Sequence, residues 1–298
     1  MFDLKQHCGF VSIVGRPNVG KSSLLNRLVG QKISITSRKP QTTRTRITGI
    51  KTTEQAQIIY VDTPGLQFDK TTGLGRCMNR EVGVALADID LVMHIIEPLK
   101  WEPLDQKIHE KIAHLPIRKI LVINKIDRIK EKEKLLPFVK DMKQQEIYDD
   151  VFMVSAKTGK NIALLEETII RHLPGGHAQY PEEQITDRNK MFFAAEFLRE
   201  KLTRILGDEL PYALMVSIDK FEELSDIVHI YATIWVESTG QKKIVVGKDG
   251  AVLKKAGEQA RHDIELMLGN KVNLKTWVKT KKKWMDDPAM LRSIGYEP

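Results

Sequence analysis

Two glycines, a lysine and a serine near the start of the chain have the spacing of a phosphate-binding loop. They lie in Gly15-Arg-Pro-Asn-Val-Gly-Lys-Ser22, directly after the apolar run 10–14. Glycines let successive backbone N–H groups converge on one anionic group, and a helix that starts near Lys21 adds its positive N-terminal end. Such a lysine reaches the outer phosphates of a nucleotide, and such a serine is a ligand of Mg²⁺. We therefore predict nucleotide contacts from the loop and the next residue: Gly15, Arg16, Pro17, Asn18, Val19, Gly20, Lys21, Ser22 and Ser23.

A second motif, Asp62-Thr-Pro-Gly65, follows the apolar run 58–61. An aspartate that ends a strand beside a phosphate-binding loop supports the water shell of the metal, and the later glycine can turn its amide towards a γ-phosphate. The sequence therefore predicts Asp62 and Ser22 at a magnesium ion. The predicted nucleotide contacts in this motif are Asp62, Thr63, Pro64 and Gly65.

Two further motifs indicate which base is bound. Each follows an apolar strand, and their order along the chain is typical of guanine-nucleotide proteins. They are Asn124-Lys-Ile-Asp127 and Ser155-Ala-Lys157. A carboxylate at Asp127 accepts two parallel hydrogen bonds from the ring N–H and amino group of guanine, a donor pair that adenine lacks. An ATPase is therefore disfavoured. The predicted base contacts are Asn124, Lys125, Asp127, Ser155, Ala156 (through its backbone N–H) and Lys157.

Strands and helices alternate up to residue 173, which indicates an α/β fold with a mostly parallel sheet covered on both faces. In such a sheet the four motifs all fall at the carboxyl ends of strands, where open α/β sheets bind ligands. Strands are predicted near 10–15, 45–52, 57–62, 90–96, 118–123 and 150–155, and helices near 21–29, 74–86, 104–114, 131–146 and 161–172. We predict a GTP-binding domain over 1–175, a proline- and glycine-containing linker over 176–187 and a second domain over 188–298.

The second domain carries the glycine-rich turn Gly247-Lys-Asp-Gly250 between two apolar helical segments. A predicted helix and two strands precede this turn, and a strand near 272–278 follows it. This order matches the α+β type II KH domain, whose glycine loop clamps the backbone of a single-stranded nucleic acid. Asp249 departs from a purely basic loop and is expected to weaken one contact. The predicted RNA contacts are Gly247, Lys248, Asp249, Gly250, Lys254 and Lys255.

Charge is distributed unevenly over this domain, although the whole chain has a formal net charge of only +8. Residues 181–240 contain 6 basic and 12 acidic side chains, whereas residues 241–283 contain 12 basic and 4 acidic ones. This contrast favours a polarised surface with an anionic partner. The two cysteines lack metal-ligand spacing, and the start of the chain lacks a signal-peptide pattern, so we expect a cytoplasmic protein.

A GTPase domain followed by a type II KH domain at this length resembles the Era family of bacterial GTPases. The resemblance covers essentially the whole chain and includes the segments 30–38, 40–44, 185–188, 209–212 and 291–296. It implies binding of GTP and GDP, binding of the 3′ end of the 16S ribosomal RNA, and a role in maturation of the 30S ribosomal subunit. A monomer is expected.

The resemblance also assigns a switch segment, Thr36–Arg46, in which Thr42 or Thr43 supplies a second hydroxyl to magnesium. Leu66 stands where many regulatory GTPases carry a water-orienting glutamine, so intrinsic hydrolysis is expected to be slow. In similar GTPases an asparagine at the position of Asn18 helps to hold K⁺ against the phosphates; alternatively, Asn18 only stabilises the loop. We assign catalytic assistance to Lys21, Asn18, Thr43 and Gly65.

Two functions remain open from the sequence. The first is a GTP-driven switch in ribosome assembly, which the KH loop and its basic surroundings favour. The alternative is a GTPase that regulates the cell cycle or metabolism through protein or membrane partners. The tail 284–298 carries Trp, Met and Ile beside acidic residues, so it allows at most a weak peripheral contact with the membrane.

Overall fold

A computed structural model describes residues 7–37, 44–62, 72–84, 88–130, 132–144, 146–207, 210 and 213–293. These residues form two compact units. The first contains residues 7–34 and 44–62 and the described part of 79–187; the second contains residues 35–37 and 72–78 and the described part of 188–293. The domain limits 1–175, 176–187 and 188–298 stay a prediction.

The first unit is built on a six-stranded sheet with the order β2-β3-β1-β4-β5-β6. Only β2 runs antiparallel to its neighbour, β3, and the other pairs are parallel. Nearly every residue of the central strands is buried, as expected for parallel strands with helices on both faces. The strands are β1 (His7–Val14), β2 (Ile47–Thr52), β3 (Ala56–Asp62), β4 (Leu91–Ile96), β5 (Arg118–Ile123) and β6 (Asp150–Met153).

Helices connect these strands at the predicted places. The first helix buries Leu24, Leu25 and Leu28 and ends at Gly30, whose φ of 85° is the left-handed conformation that glycine adopts without strain. The helices are α1 (Lys21–Val29), α3 (Pro103–Ala113), α4 (Leu135–Lys143) and α5 (Ile162–His172), together with α2 (Gly73–Val84), whose first half belongs to the second unit. The sequence and the structure agree on the alternating α/β architecture.

The stretch predicted as a linker packs along the first sheet. The side chain of Gln57 donates to the carbonyl of Tyr180 at 2.8 Å and accepts from the backbone N–H of Gln179 at 2.7 Å. Ile50 on the outer edge of β2 donates to the carbonyl of Ile185 at 2.8 Å. The bond from Ile50 satisfies a backbone group of the edge strand β2 that would otherwise stay open to pairing with another chain.

The second unit has a three-stranded sheet with the order β7-β8-β9, in which β7 is antiparallel and β9 is parallel to β8. Its core lies between one face of this sheet and two helices, and it includes Leu198, Leu202, Ile234 and Ala260. This arrangement confirms the predicted KH fold. The elements are α6 (Lys190–Ile205), β7 (Met215–Glu223), β8 (Ile227–Val236), α7 (Thr239–Val246), α8 (Ala251–Leu268), β9 (Lys271–Thr280) and α9 (Pro288–Ser293).

Candidate functional site

The phosphate-binding loop connects the carboxyl end of β1 to the start of α1 and closes around a buried ammonium group. Asn18 and Gly20 have φ angles of 66° and 101°, which turn the loop back on itself. The Nζ atom of Lys21 donates to the carbonyl of Gly15 at 2.8 Å and to that of Arg16 at 3.0 Å. Burial lowers the pKa of Lys21 to about 8. A cation is thus held at the centre of the loop.

Asp62 ends β3, the parallel neighbour of β1, and its carboxylate faces the same loop. Its Oδ2 atom accepts hydrogen bonds from the hydroxyls of Ser22 at 3.0 Å and Ser34 at 3.1 Å. Its buried Oδ1 atom has no hydrogen-bond partner among the described residues. Burial raises the pKa of Asp62 to about 6, and the charge of Lys21 opposes this shift.

A hydroxyl beside a carboxylate with an unused buried oxygen fits a hard cation such as Mg²⁺, which prefers oxygen ligands. Ser34 joins this group without having been predicted. The remaining predicted metal and switch residues, Thr42, Thr43, Thr63, Pro64 and Gly65, lie outside the described residues, as does Leu66.

Asn124 connects the phosphate-binding loop to the loop after β6. Its side-chain amide donates to the carbonyl of Val19 at 2.9 Å, and its Oδ1 atom accepts from the backbone N–H of Ala156 at 3.0 Å. A guanine carbonyl would therefore share the Ala156 N–H group with Asn124. A Cβ atom on Gly20 would lie 2.4 Å from the amide nitrogen of Asn124, so only glycine leaves room for this bridge.

The predicted base-selecting carboxylate lies at the surface of the same edge. Ser155 donates its hydroxyl to Oδ1 of Asp127 at 2.6 Å and accepts from the backbone N–H of Thr158 at 3.2 Å. These bonds orient the carboxylate while leaving Asp127 exposed. The structure thus brings Asp127 and the Ser155 loop together, as the two motifs predict.

Lys125 bridges two parts of the site through its ammonium group. Its Nζ atom donates to the backbone carbonyl of Asn18 and to the carboxylate of Glu97. Partial burial raises the pKa of Glu97, but the hydrogen bonds from Lys125 and Lys100 outweigh burial and bring that pKa to about 2. Glu97 follows β4 and carries no sequence signal that identifies it as part of the site.

Arg16 is held by acidic side chains at the start of α3. Its Nε atom donates to Asp105 at 2.9 Å, and its Nη1 atom pairs with Glu102 at 2.9 Å. Asp105 is fully buried and also accepts from the backbone N–H of Glu102 in a capping box. The guanidinium is therefore engaged within the protein, and the nucleotide contact of Arg16 stays a prediction. The capping pattern Glu102-Pro-Leu-Asp105 was the available signal for this cluster.

The glycine loop of the second unit connects α7 to α8 and exposes lysines. Gly247 and Gly250 have φ angles of 75° and 77°, and Asp249 also has a left-handed φ of 51°. A Cβ atom on Gly247 would lie 2.5 Å from the side chain of Val252, whereas one on Gly250 would meet no described atom within 4 Å. Gly247 is thus required by packing, and Gly250 leaves open space where a nucleic-acid backbone would pass. The predicted contacts Lys248, Lys254 and Lys255 are exposed around it.

The described start of the predicted switch segment, residues 36 and 37, belongs to the second unit. The backbone N–H of Thr36 donates to the fully buried carboxylate of Glu200 at 2.8 Å, and Arg204 donates to the Thr36 carbonyl at 2.8 Å. Nothing in the sequence pattern marks Glu200 or Arg204 for this role, because they lie more than 160 residues from Thr36.

The fold and these loops define a P-loop GTPase with a KH domain. A family model described as a 50S ribosome-binding GTPase matches residues 10–125, and one described as a KH domain matches residues 209–285. GTPase Era of Pseudomonas putida is 47% identical over 97% of this chain and 96% of its own length. GTPase Era of Vibrio cholerae is 46% identical over 98% of this chain and 90% of its own length.

A solved structure of Era in complex with MgGDPNP and nucleotides 1506–1542 of 16S ribosomal RNA superimposes with a TM-score of 0.94. It is 36% identical in sequence, and the match covers 98% of this chain and 100% of that one. The chain belongs to the Era family of GTPases.

Two glycines at the ends of α1 give a matched test of the Asn124 bridge. Gly20→Ala and Gly30→Ala both place a side chain at a positive φ, which costs about 1–2 kcal/mol. Only the first also collides with Asn124, since Gly30 has open space around it. We expect Gly20→Ala to weaken GTP binding at least tenfold and Gly30→Ala to leave it within about twofold, by titration with a fluorescent GTP analogue. Equal losses in the two variants would contradict the bridge.

Proposed function

We propose that this chain is a GTP-driven switch that binds GTP and GDP with Mg²⁺, holds the 3′ end of 16S ribosomal RNA and acts in assembly of the 30S ribosomal subunit. The observation that carries this proposal is the pairing of two sites in one chain. One is a guanine-selecting edge built on Asn124 and Asp127, and the other is an open glycine loop at Gly250. The structure of Era that matches 98% of this chain contains both kinds of ligand, MgGDPNP and a segment of 16S ribosomal RNA.

The phosphates would bind in the loop 15–22, where the Lys21 ammonium compensates the negative charge that develops on the phosphoryl oxygens. Because Lys21 already donates to two loop carbonyls, little reorganisation is needed when a phosphate arrives. Ser22 and Asp62 would hold Mg²⁺, which supplies further neutralisation of the β- and γ-phosphate oxygens. Thr42 or Thr43 would complete this site when the switch segment closes.

Release after hydrolysis would act through the switch segment. Loss of the γ-phosphate removes the contacts that hold such segments. In this chain the start of the segment is hydrogen-bonded to Glu200 and Arg204 of α6. Its rearrangement would therefore change the contacts of a helix in the KH core. This connection favours the assembly switch over the alternative of a GTPase that signals through protein or membrane partners. No helix in the described part of the chain is long and apolar enough to cross a membrane.

Base selection is tested by Asp127→Asn, with Asp226→Asn in the exposed turn after β7 as the matched control. Loss of charge-assisted bonds worth about 1.5–3 kcal/mol each should weaken GTP binding by at least tenfold. Binding of xanthosine triphosphate should improve, because its extra carbonyl accepts from the new amide. Calorimetric titration with GTP, XTP and ATP measures all three. Equal affinity of the parent protein for ATP and GTP would refute the assignment.

RNA binding is tested at the two ends of α8, where Gly250 and Gly269 both have a left-handed φ and open space. Gly250→Asp places a charge where a phosphate backbone would pass, whereas Gly269→Asp places the same charge roughly 27 Å away, from about 1.5 Å per residue. We expect the first variant to weaken binding of single-stranded 3′ ribosomal RNA at least tenfold and the second to change it less than threefold. GTP affinity should stay unchanged in both. Normal RNA binding by Gly250→Asp would overturn the assignment of the loop.

The proposed use of K⁺ is tested at Asn18. Because its φ is 66°, Asn18→Gly removes the side-chain amide without adding backbone strain. If Asn18 helps to hold K⁺, GTP turnover by the parent protein is faster in K⁺ than in Na⁺ at constant ionic strength, and the variant loses this difference while still binding GTP. Identical rates in the two salts would leave Asn18 with a purely structural role in the loop.

A further inference from the structure

The face of the KH sheet opposite α6 and α8 carries aromatic and basic side chains. Along β8 and β9, residues alternate between this outer face and the core. Ala232, Ile234 and Val278 are buried in the core with α6 and α8. Tyr231 and Trp277, which lie next to them along the strands, therefore belong to the outer face.

One end of the outer face is covered by the protein itself. Met215 and Trp235 pack there with Trp284, Leu74 and Leu291. The indole N–H of Trp235 donates to the hydroxyl of Ser217 at 2.9 Å. This end is therefore closed and its polar group is satisfied.

The other end is open and flat. The rings of Tyr231 and Trp277 stack with centroids 5.9 Å apart and an angle of 8° between their planes. Trp277 is 45% exposed, which is unusual for so large an apolar side chain in the middle of a strand. Two nearly parallel rings on an accessible sheet, one of them well exposed, form a platform on which a further ring can stack.

Lysines lie on the same face as this platform. The Nζ atoms of Lys275 and Lys220 lie 5.6 and 5.8 Å from the centroid of Tyr231. Lys279 follows Trp277 by two residues along β9, and its Nζ atom lies 5.6 Å from the centroid of Trp235, towards the covered end. Lys220 is paired with Glu222 at 2.6 Å. Neither Lys275 nor Lys279 has a carboxylate within ion-pair distance among the described residues, so both charges are available to an outside anion.

The acidic groups on this side of the sheet are already engaged. Glu222 is paired with Lys220, and Asp219 accepts from the hydroxyl of Thr233 at 2.6 Å. The remaining chemistry is a stacking surface with two available cations on β9, the edge strand. Single-stranded RNA carries both flat bases and phosphates. Surfaces that combine aromatic rings with basic side chains bind this combination.

We propose that the open end of the outer face is a second RNA-contact surface, on which an unpaired base stacks against Trp277 while Lys275 and Lys279 contact phosphates. The proposal rests on the proposed function, because the same RNA would also occupy the glycine loop. That loop joins α7 to α8 on the helical side, and both helices contact β9, so an RNA that passes the β9 edge would reach both surfaces. Short RNAs that fill only the loop would not depend on Trp277.

The test compares Trp277→Ala with Trp277→Phe in the full chain. The first variant removes the platform and the second retains an aromatic ring. The probes are an RNA of 16S nucleotides 1506–1542 and fragments of it shortened from either end. We expect Trp277→Ala to weaken binding of the long RNA by about 5- to 150-fold, from the typical strength of base stacking on an aromatic ring, and Trp277→Phe to retain most of the affinity. The shortest bound fragment should show no difference between these variants.

Lys275→Gln and Lys279→Gln should each reduce the slope of log affinity against log salt by roughly 0.7 for the long RNA. Unchanged thermal unfolding and GTP affinity would show that the variants are folded. Ultraviolet crosslinking of RNA carrying 4-thiouridine, followed by peptide mapping, should identify the peptides that contain Tyr231 and Trp277.

Full-strength binding of every RNA by Trp277→Ala would overturn the proposal. Reduced binding of Trp277→Ala to whole 30S subunits but not to any naked RNA would also overturn it, because the occupant would then be a ribosomal protein. Failure of the glycine-loop assignment would be recognised separately, from the RNA affinities of Gly250→Asp and Gly269→Asp.

Discussion

The nucleotide site depends on one buried amide. Asn124 donates to the carbonyl of Val19 and accepts from the N–H of Ala156, so a single side chain fixes two loops that arise from strands far apart in sequence. An unmet hydrogen-bonding group at such a buried position costs about 1–3 kcal/mol. The amide therefore enforces the relative positions of the phosphate-binding and base-selecting loops. It also explains why residue 20 must be glycine, since the amide occupies the space of a Cβ atom.

Buried charge is the second constraint, and each buried cation lies near a carboxylate. Lys21 is enclosed by loop carbonyls near Asp62, and Arg16 is enclosed by Asp105 and Glu102. Removing one partner from a buried ion pair costs about 3–5 kcal/mol, whereas an apolar replacement of the whole group is often neutral. Stability alone does not account for these charges. Together with the loop carbonyls, they hold a cation in place before any phosphate binds.

Much of this arrangement is predictable from the sequence, because the motifs encode local backbone geometry. The spacing of Gly15 and Gly20 predicts a strand, a tight loop and a helix, and apolar alternation over 227–236 predicts the central KH strand. The order of the elements then restricts the topology. The backbone conformation of such motifs can be predicted because it depends only on residues that are close in the sequence.

Other contacts were not predictable because they join residues that only the tertiary fold brings together. Asp105 is 89 positions from Arg16, and Glu200 is 164 from Thr36. The interpretation of Ala156 illustrates the same limit. Its N–H was expected to meet guanine directly, but the structure adds Asn124 as an acceptor. Periodicity places a side chain on a face of a helix or strand, but it does not identify the partner across the core.

The uneven charge of the KH unit acquires a physical meaning once its ion pairs are known. The acidic block 181–240 is neutralised internally only in part: four of its 12 carboxylates pair with cations of the same block, namely Glu196 with Arg199, Glu200 with Arg204, Glu222 with Lys220 and Glu223 with Lys190.

The cations of the basic block 241–283 form fewer ion pairs among the described residues: Lys281 pairs with Asp287, and Arg261 lies 3.7 Å from Glu265. Among the described residues, several of its lysines have no carboxylate within ion-pair distance: Lys248, Lys254, Lys255, Lys275 and Lys279. Three lie at the glycine loop and two on the outer face of the sheet. The unit thus presents positive charge on two sides although it also contains the acidic block, and counterion release from RNA would make binding at both depend on salt.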